Sequence, residues 1–382
     1  MRELVAIDVA GGPAFVGALR RAWDDGDAVL PVDQRSPPPA RHALLAAARP
    51  HAVVTTTGGT SVERRAYDRS APPVADGDAL VIASSGTTGN PKLLVHTHAG
   101  IVAHARAVHA HLDVDPNRDR WLACLPLAHL GGLGVVLRSL VTDTALDVWP
   151  GFTTSRVAAA PAELGTTLVS LVPTALDRID PSSFRWVVLG GSADPVDRPF
   201  NVVRTYGLTE TGGGVIYEGV PLPGVEVRIG AHGSIELRSP TLARGRRQPD
   251  GSVLGVTDDD GWFATGDLGA WSTDGRLVID GRADALIVTG GENVWPLPVE
   301  TVLATHPGVA EVLVVGRSDP EWGQRVVAIV VAVDPAAPPS LDALRDHVRA
   351  TLPAHAAPRE LVMVDHLPRT TLGKVRRADL GR

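Results

Sequence analysis

The stretch "SSGTTGNPK", residues 84–92, follows directly on the apolar run Ala79–Ala83. Gly86 and Gly89 permit positive φ and carry no side-chain bulk, so backbone N–H groups there can converge on an anion. Ser84, Ser85, Thr87 and Thr88 add hydroxyl donors, Lys92 adds a mobile charge, and Pro91 stiffens the exit. Two readings stand: a solvated turn after a buried strand, or a loop built to hold phosphates. The Walker arrangement is excluded. It needs Gly-Lys-Ser/Thr after four intervening residues, whereas here Pro91 precedes the lysine and Leu93 follows it.

The rest of the chain bounds the answer. Its 382 residues are enough for two or more domains, and 44% hydrophobic with 21% charged content is that of a soluble globular protein. A net charge of −7 argues against a general nucleic-acid binder, the basic tail Lys374–Arg382 notwithstanding. The single cysteine, Cys124, excludes an internal disulfide and any multi-cysteine metal site. The start "MRELVAIDVAGG" has two acids and no long apolar core, so it is a poor signal peptide. The longest apolar run, "VVAIVVAV" (326–333), is far short of the ~20 residues that span a bilayer. The expectation is a soluble, cytoplasmic protein without a membrane span.

Short apolar runs alternate with helical patterns through the first two-thirds. "DALVIASS", "RWLACLPL", "TTLVSLVP" and "FRWVVLGG" read as buried strands, and "AGIVAHARAVHAHL" as a helix. The alternation predicts α/β layers around a largely parallel sheet. "EVRIG" and "SIELRSP" predict an added antiparallel β section, and Asp274-Gly275 between two apolar runs predicts a hairpin. Beyond about residue 284 the texture becomes that of a small α+β domain. "PLPVETVLATHPG" opens a helix on proline. Ser340 is placed to N-cap a helix with Leu341, Leu344, Val348 and Leu352 on one face.

Six further segments accompany the hydroxyl-rich loop in a fixed order: "LPLAHLGG" (125–132), "VVLGGSAD" (187–194), "YGLTET" (206–211), "TGDLG" (265–269), "GRADALIVTGGENVWPLPVE" (281–300) and "LPRTTLGKVRR" (367–377). With the loop, this series resembles the signatures of the adenylate-forming superfamily of acyl-CoA synthetases, adenylation domains and luciferases, over residues 80–380. The resemblance implies an N-terminal ATP- and acyl-binding domain, 1–283, and a mobile C-terminal domain, 284–382, carrying a catalytic lysine.

It also implies roles. The loop, with Ser84, Ser85, Gly86, Thr87, Thr88, Gly89 and Lys92, holds the β- and γ-phosphates of ATP. Tyr206 stacks on adenine beside Gly207, Thr209 contacts the α-phosphate, and Glu210 ligates Mg²⁺. Asp267 and Arg282 grip the ribose, and Lys374 bridges the reacting carboxylate and the α-phosphate. His129 stands beside the acyl pocket, and Gly190 and Gly191 form part of its wall. Asp284 is the hinge, and Gly290 and Gly291 line the tunnel for the pantetheine of CoA. The reaction so implied joins a small carboxylic acid to AMP, releases pyrophosphate and passes the acyl group to a thiol. Negative charge builds on phosphoryl oxygens, which is why donors and cations recur in these segments.

The short N-terminal region and the 14 residues between Gly191 and Tyr206 make the chain compact. This resembles o-succinylbenzoate–CoA ligases of menaquinone biosynthesis. No acidic residue occurs from Trp121 to Thr142, where amino-acid adenylating domains carry an Asp for the amino group. Arg138, in "GGLGVVLRSLV", has two readings: a helix-face residue snorkelling to water, or a partner for a second substrate carboxylate. A different acyl-CoA or acyl-adenylate ligase and a non-enzymatic nucleotide-binding homologue remain as alternatives. "GGLGVV" (131–136) lacks the third glycine of a dinucleotide fingerprint, and "GGSAD" has Asp194 where a nucleophile elbow ends in glycine. His104, His109 and His111 read as helix residues with surface or packing roles.

Overall fold

The structure, a computed structural model, describes residues 2–57, 61–84, 91–191 and 198–368. Contacts divide the chain into two compact units, Met1–Val227 with Leu237–Phe263, and Arg228–Glu236 with Ala264–Arg382.

Among its described residues, the first unit is built on two sheets. One has eight strands, in the order Val253–Leu254, Gly245–Arg247, Lys92–Thr97, Asp78–Ser84, Ala28–Pro31, Leu4–Asp8, Ala52–Thr57 and Ser61–Ala66. Its centre is parallel, with Leu4–Asp8 flanked by Ala28–Pro31 and Ala52–Thr57. Leu4, Val5, Ala6 and Ile7 are all at most 1% exposed. A strand covered on both faces reads as an unbroken apolar run, and these do. Ser61–Ala66, "SVERRA", lies at the sheet edge with its charges in water, which discourages further strand pairing.

The other sheet has seven strands, in the order Val220–Pro221, Gly213–Tyr217, Val202–Leu208, Trp186–Leu189, Leu168–Leu171, Arg120–Ala123 and Ala145–Val148. The last five are parallel. The helices His98–Leu112 and Leu130–Thr142 pack against each other and reach this sheet. The second helix is apolar almost all round, the pattern of a buried helix. Its start requires glycine: a Cβ on Gly132 would overlap the Leu125 carbonyl oxygen.

In the second unit, Phe263–Trp271 and Leu277–Arg282 form the hairpin that Asp274-Gly275 predicts, with Gly275 at φ 77°. They join Ser234–Arg238 and Glu226–Ile229 in a four-stranded sheet. A further sheet has the long antiparallel pair Val309–Asp319 and Gly323–Ala332 at its heart. The helices Pro296–Ala304 and Leu341–Arg349 pack together, and their buried Val299, Leu303, Leu344 and Val348 share one core with that pair. Ser340 Oγ accepts from Ala343 N–H at 3.2 Å and caps the second helix. Leu352 lies beyond its end and still packs on the same core.

The layered α/β architecture, the added β section and the α+β C-terminal region are therefore present. Among the described residues no helix is long and apolar enough to cross a membrane. The Gly132 contact is with backbone, which cannot swing aside. Gly132→Ala is expected to cost about 1–3 kcal/mol by overpacking, read as a lower urea midpoint. An unchanged midpoint contradicts the contact.

Candidate active site

Tyr206, Gly207, Thr209 and Glu210 lie on one antiparallel hairpin, Val202–Leu208 with Gly213–Tyr217, whose turn is Thr209–Gly212. The two strands approach so closely that a Cβ on Gly207 would overlap the Gly213 carbonyl oxygen. The ladder is irregular between Tyr206 and Gly207. Thr211, fully buried, stitches the turn: its hydroxyl accepts from Leu208 N–H at 2.8 Å and donates to the Gly213 carbonyl at 2.6 Å. Ala243 N–H donates to the Glu210 carbonyl at 2.7 Å. The backbone under Thr209 and Glu210 is thus fixed, while both side chains are only half-buried.

Behind the turn stand two buried histidines. The His104 ring, from helix His98–Leu112, has Nε2 2.9 Å from the Gly214 carbonyl. A carbonyl only accepts, so Nε2 carries the proton. His96 lies on the strand that Lys92 opens, with its ring against Gly212. Burial lowers the His96 pKa to about 4, and a hydrogen bond with the Thr209 backbone acts the other way. For His104, burial first and then the Arg138 charge lower it to about 3. Sequence reasoning left His96 and Thr211 unmarked, because their partners are backbone groups more than a hundred residues away or within a turn.

Ser84 and Lys92 face each other as a register pair of the antiparallel strands Asp78–Ser84 and Lys92–Thr97. The loop they bracket joins strand to strand. Ser85, Gly86, Thr87, Thr88 and Gly89 lie outside the described residues, as does Lys374.

His129 precedes helix Leu130–Thr142 at its N-cap position, and its Nε2 is 3.4 Å from Asp33 Oδ2, an ion-pair distance without a well-formed hydrogen bond. Asp33 was not marked by the sequence. Although burial raises its pKa, the adjacent His129 ring and hydrogen bonds from Arg35 hold it well below the carboxylate range. Gly190 N–H donates to the Leu171 carbonyl at 3.0 Å at the end of Trp186–Leu189. Gly191 follows at φ 124°, with Pro173 close beside it.

Arg138 does not snorkel. It is 5% exposed, its guanidinium lies 4.7 Å over the Trp121 ring, and Nη2 donates to Ser170 Oγ at 3.3 Å. The helix that carries it is buried along most of its length, so the head stays among neighbouring side chains. Among the described residues no carboxylate pairs with it, and Nε has no hydrogen-bond partner. Burial lowers its pKa. It borders a cavity of about 10 Å³ together with His96, His104, Gly134 and Gly212.

In the second unit Asp267 and Arg282 are a register pair of one hairpin, with Nη1 3.5 Å from Oδ1. Arg282 also donates to the Thr265 carbonyl at 3.0 Å and from Nε to Asp284 Oδ1 at 3.3 Å. Asp267 is buried and Arg282 exposed, so the pair presents two kinds of hydrogen-bonding group at one edge. Asp284 sits exposed in the single turn Ala283–Ala285 between two strands. Gly290 and Gly291 form the next hairpin turn, both at positive φ. Gly290 N–H donates to the Trp322 carbonyl at 2.8 Å.

The chain is similar to known proteins. The AMP-binding enzyme family matches residues 60–245, and the AMP-binding enzyme C-terminal domain matches residues 298–374. A probable 2-succinylbenzoate–CoA ligase from Mycobacterium tuberculosis is 42% identical over 337 residues, covering 81% of this chain and 85% of that protein. The solved structure of o-succinylbenzoate CoA synthetase from Bacillus subtilis, in complex with the acyl-adenylate intermediate OSB-AMP, is 25% identical with a TM-score of 0.85. It covers 100% of this chain and 88% of its own. The same enzyme in complex with ATP and magnesium ion is 24% identical with a TM-score of 0.85, covering 99% and 89%. The chain belongs to the AMP-binding enzyme family, the adenylate-forming enzymes.

The buried histidines set a pH dependence. His96, His104 and His109 have native pKa values of about 4, 3 and 4, against 6.5 as the unperturbed value. Their contribution is complete above 6.5. As pH falls below it, the unfolded chain takes up protons that the native state refuses. Each such group then removes about 1.4 kcal/mol of stability per pH unit. Urea unfolding at pH 7, 6 and 5 is expected to show this decline. Stability independent of pH over that range contradicts the buried neutral assignment.

Proposed function

We propose that this adenylate-forming enzyme is an o-succinylbenzoate–CoA ligase. It joins the acid to the α-phosphate of ATP, releases pyrophosphate, and transfers the acyl group to CoA. The observation that carries the choice of acid is Arg138: a guanidinium buried without a carboxylate partner among the described residues, on the helix that follows His129. Burying an unpaired charge costs several kcal/mol. A substrate with a second carboxylate supplies the missing anion, and the planar fork suits it. The 42% identity to a probable 2-succinylbenzoate–CoA ligase supports the same reading.

The chain's own residues divide the chemistry. The 84–92 loop binds the β- and γ-phosphates, and Tyr206 with Gly207 forms the adenine shelf. Thr209 holds the α-phosphate oxygen. Asp267 and Arg282, already paired, bind the ribose hydroxyls. His129 and the Gly190–Gly191 turn bound the acyl group. Lys374 neutralises charge on the α-phosphate and the attacking carboxylate. Residues 1–283 and 284–382 act as the two moving parts about Asp284, and Gly290 and Gly291 leave room for the pantetheine arm.

The donor set suits Mg²⁺. Glu210 is a hard oxygen ligand on a hydrogen-bonded turn, and no cluster of three or more metal-ligating side chains occurs among the described residues. The ion would be held by Glu210 together with nucleotide phosphate oxygens, the usual arrangement for Mg²⁺. When bound it supplies positive charge to the triphosphate.

A panel of carboxylic acids assayed for pyrophosphate release, with and without CoA, tests the reading. Release with o-succinylbenzoate, and its thioester when CoA is added, is expected. Thioester formation only from other acids contradicts the assignment, and no release with any acid leaves the non-enzymatic alternative. Arg138→Leu is expected to raise KM for o-succinylbenzoate at least about 30-fold more than for a matched monocarboxylic acid. Equal effects make Arg138 structural. Lys374→Ala is expected to slow adenylation by about 10²–10³ while sparing thioester formation from preformed acyl-adenylate. Equal loss in both steps contradicts its role.

A further inference from the structure

We propose that His104 is a positioning residue for adenylation. Donating from the helix His98–Leu112 to the Gly214 carbonyl, its imidazole fixes the turn that presents Thr209 and Glu210 to the triphosphate. The proposal rests on the adenylation reading of that turn.

Three observations carry it. First, the bond is at the functional turn. Gly214 pairs in register with Gly207, two residues before Thr209, and Gly213 with Leu208. Second, the ladder is irregular between Tyr206 and Gly207. A bulge leaves ladder groups without their regular partners, and the His104 Nε2–H, 2.9 Å away, takes up the Gly214 carbonyl there. Third, the fit leaves no slack. A Cβ on Gly213, at φ 126°, would lie 3.3 Å from both Cε1 and Nε2 of His104. His96 closes the other side, with its ring 3.8 Å from where a Cβ on Gly212 would sit.

A leucine would serve packing at position 104 at lower cost. The helix buries Ile101, Ala105, Val108 and Leu112 around it, and a buried imidazole is penalised unless it is hydrogen-bonded. The donor is therefore the property that the position uses. A shift of the turn would move the Thr209 hydroxyl and the Glu210 carboxylate together. Misplacement of about 1 Å can cost ~10²-fold in rate.

The test compares His104→Leu, which removes the donor, with His104→Gln, whose carboxamide keeps one. Adenylation is followed as o-succinylbenzoate-dependent ATP–pyrophosphate exchange. Thiolysis is measured from preformed acyl-adenylate, and amide hydrogen exchange is read on the 206–214 peptide. His104→Leu is expected to lower adenylation kcat/KM by about 10–100-fold, to leave thiolysis within about twofold, and to speed amide exchange in 206–214. His104→Gln is expected to restore adenylation to within a few-fold of the parent. Wild-type adenylation and exchange in the Leu variant overturn the proposal. So does an equal fall in both half-reactions that tracks a lower melting temperature, the mark of a packing residue. Parent protein that makes no pyrophosphate with any carboxylic acid contradicts the adenylation reading instead, and amide exchange still decides whether His104 holds the turn.

Discussion

A guanidinium enclosed with no opposing carboxylate among the described residues is the constraint around which the first unit is arranged. Arg138 is held by a ring face and a hydroxyl: Trp121 at 4.7 Å and Ser170 Oγ at 3.3 Å. A cation–π contact offsets only part of the lost hydration. Its neighbours adjust. His104 and His109 are kept neutral, by burial first and then by the Arg138 charge. Being neutral, each ring can act with one nitrogen as donor or acceptor. His104 gives its proton to Gly214, and His109 Nε2 accepts from the Trp121 indole at 3.1 Å. One buried cation thus links the helix Leu130–Thr142, the helix His98–Leu112 and the hairpin that carries Thr209 and Glu210.

The hairpin itself is held by backbone partners. Thr211, Ala243 and His104 all bind main-chain groups, and Gly207 admits the opposite strand where any side chain would not fit. Such a turn cannot relax as charge develops near it, which is what electrostatic stabilisation of a transition state needs. The Asp267–Arg282 pair follows the same logic in the second unit, its geometry set by one strand register and a hydrogen bond to the Thr265 carbonyl. On the proposed reading, nucleotide and acid meet preformed groups.

Much of this was legible in the sequence, for physical reasons. The central strands are buried on both faces, so Ala79–Ile82 and Val187–Leu189 show as apolar runs. Asp274-Gly275 announced its hairpin through turn chemistry. The motif series gave the family, and the matches over 60–245 and 298–374 agree with it. What stayed hidden depends on distant neighbours. "SVERRA" has no apolar face, because an edge strand needs none. The partner strand of Ser84 could not be told from a helix by a loop alone. Arg138 was ambiguous because an arginine in an apolar helix either reaches water or does not, and only the packing of Trp121, Ser170 and the adjoining helix decides. His96, Asp33 and Thr211 carry no local signal, since each owes its role to a group brought beside it by the fold.

On the proposed reading, the buried guanidinium and the substrate's second carboxylate complete each other. This is tested most directly from the substrate side. Dissociation constants can be measured by calorimetry for two non-hydrolysable acyl-adenylate analogues that differ only in the distal carboxylate. The carboxylate-bearing analogue is expected to bind at least about 30-fold more tightly, the cost of leaving a buried charge unpaired. Equal affinity for the two would contradict it.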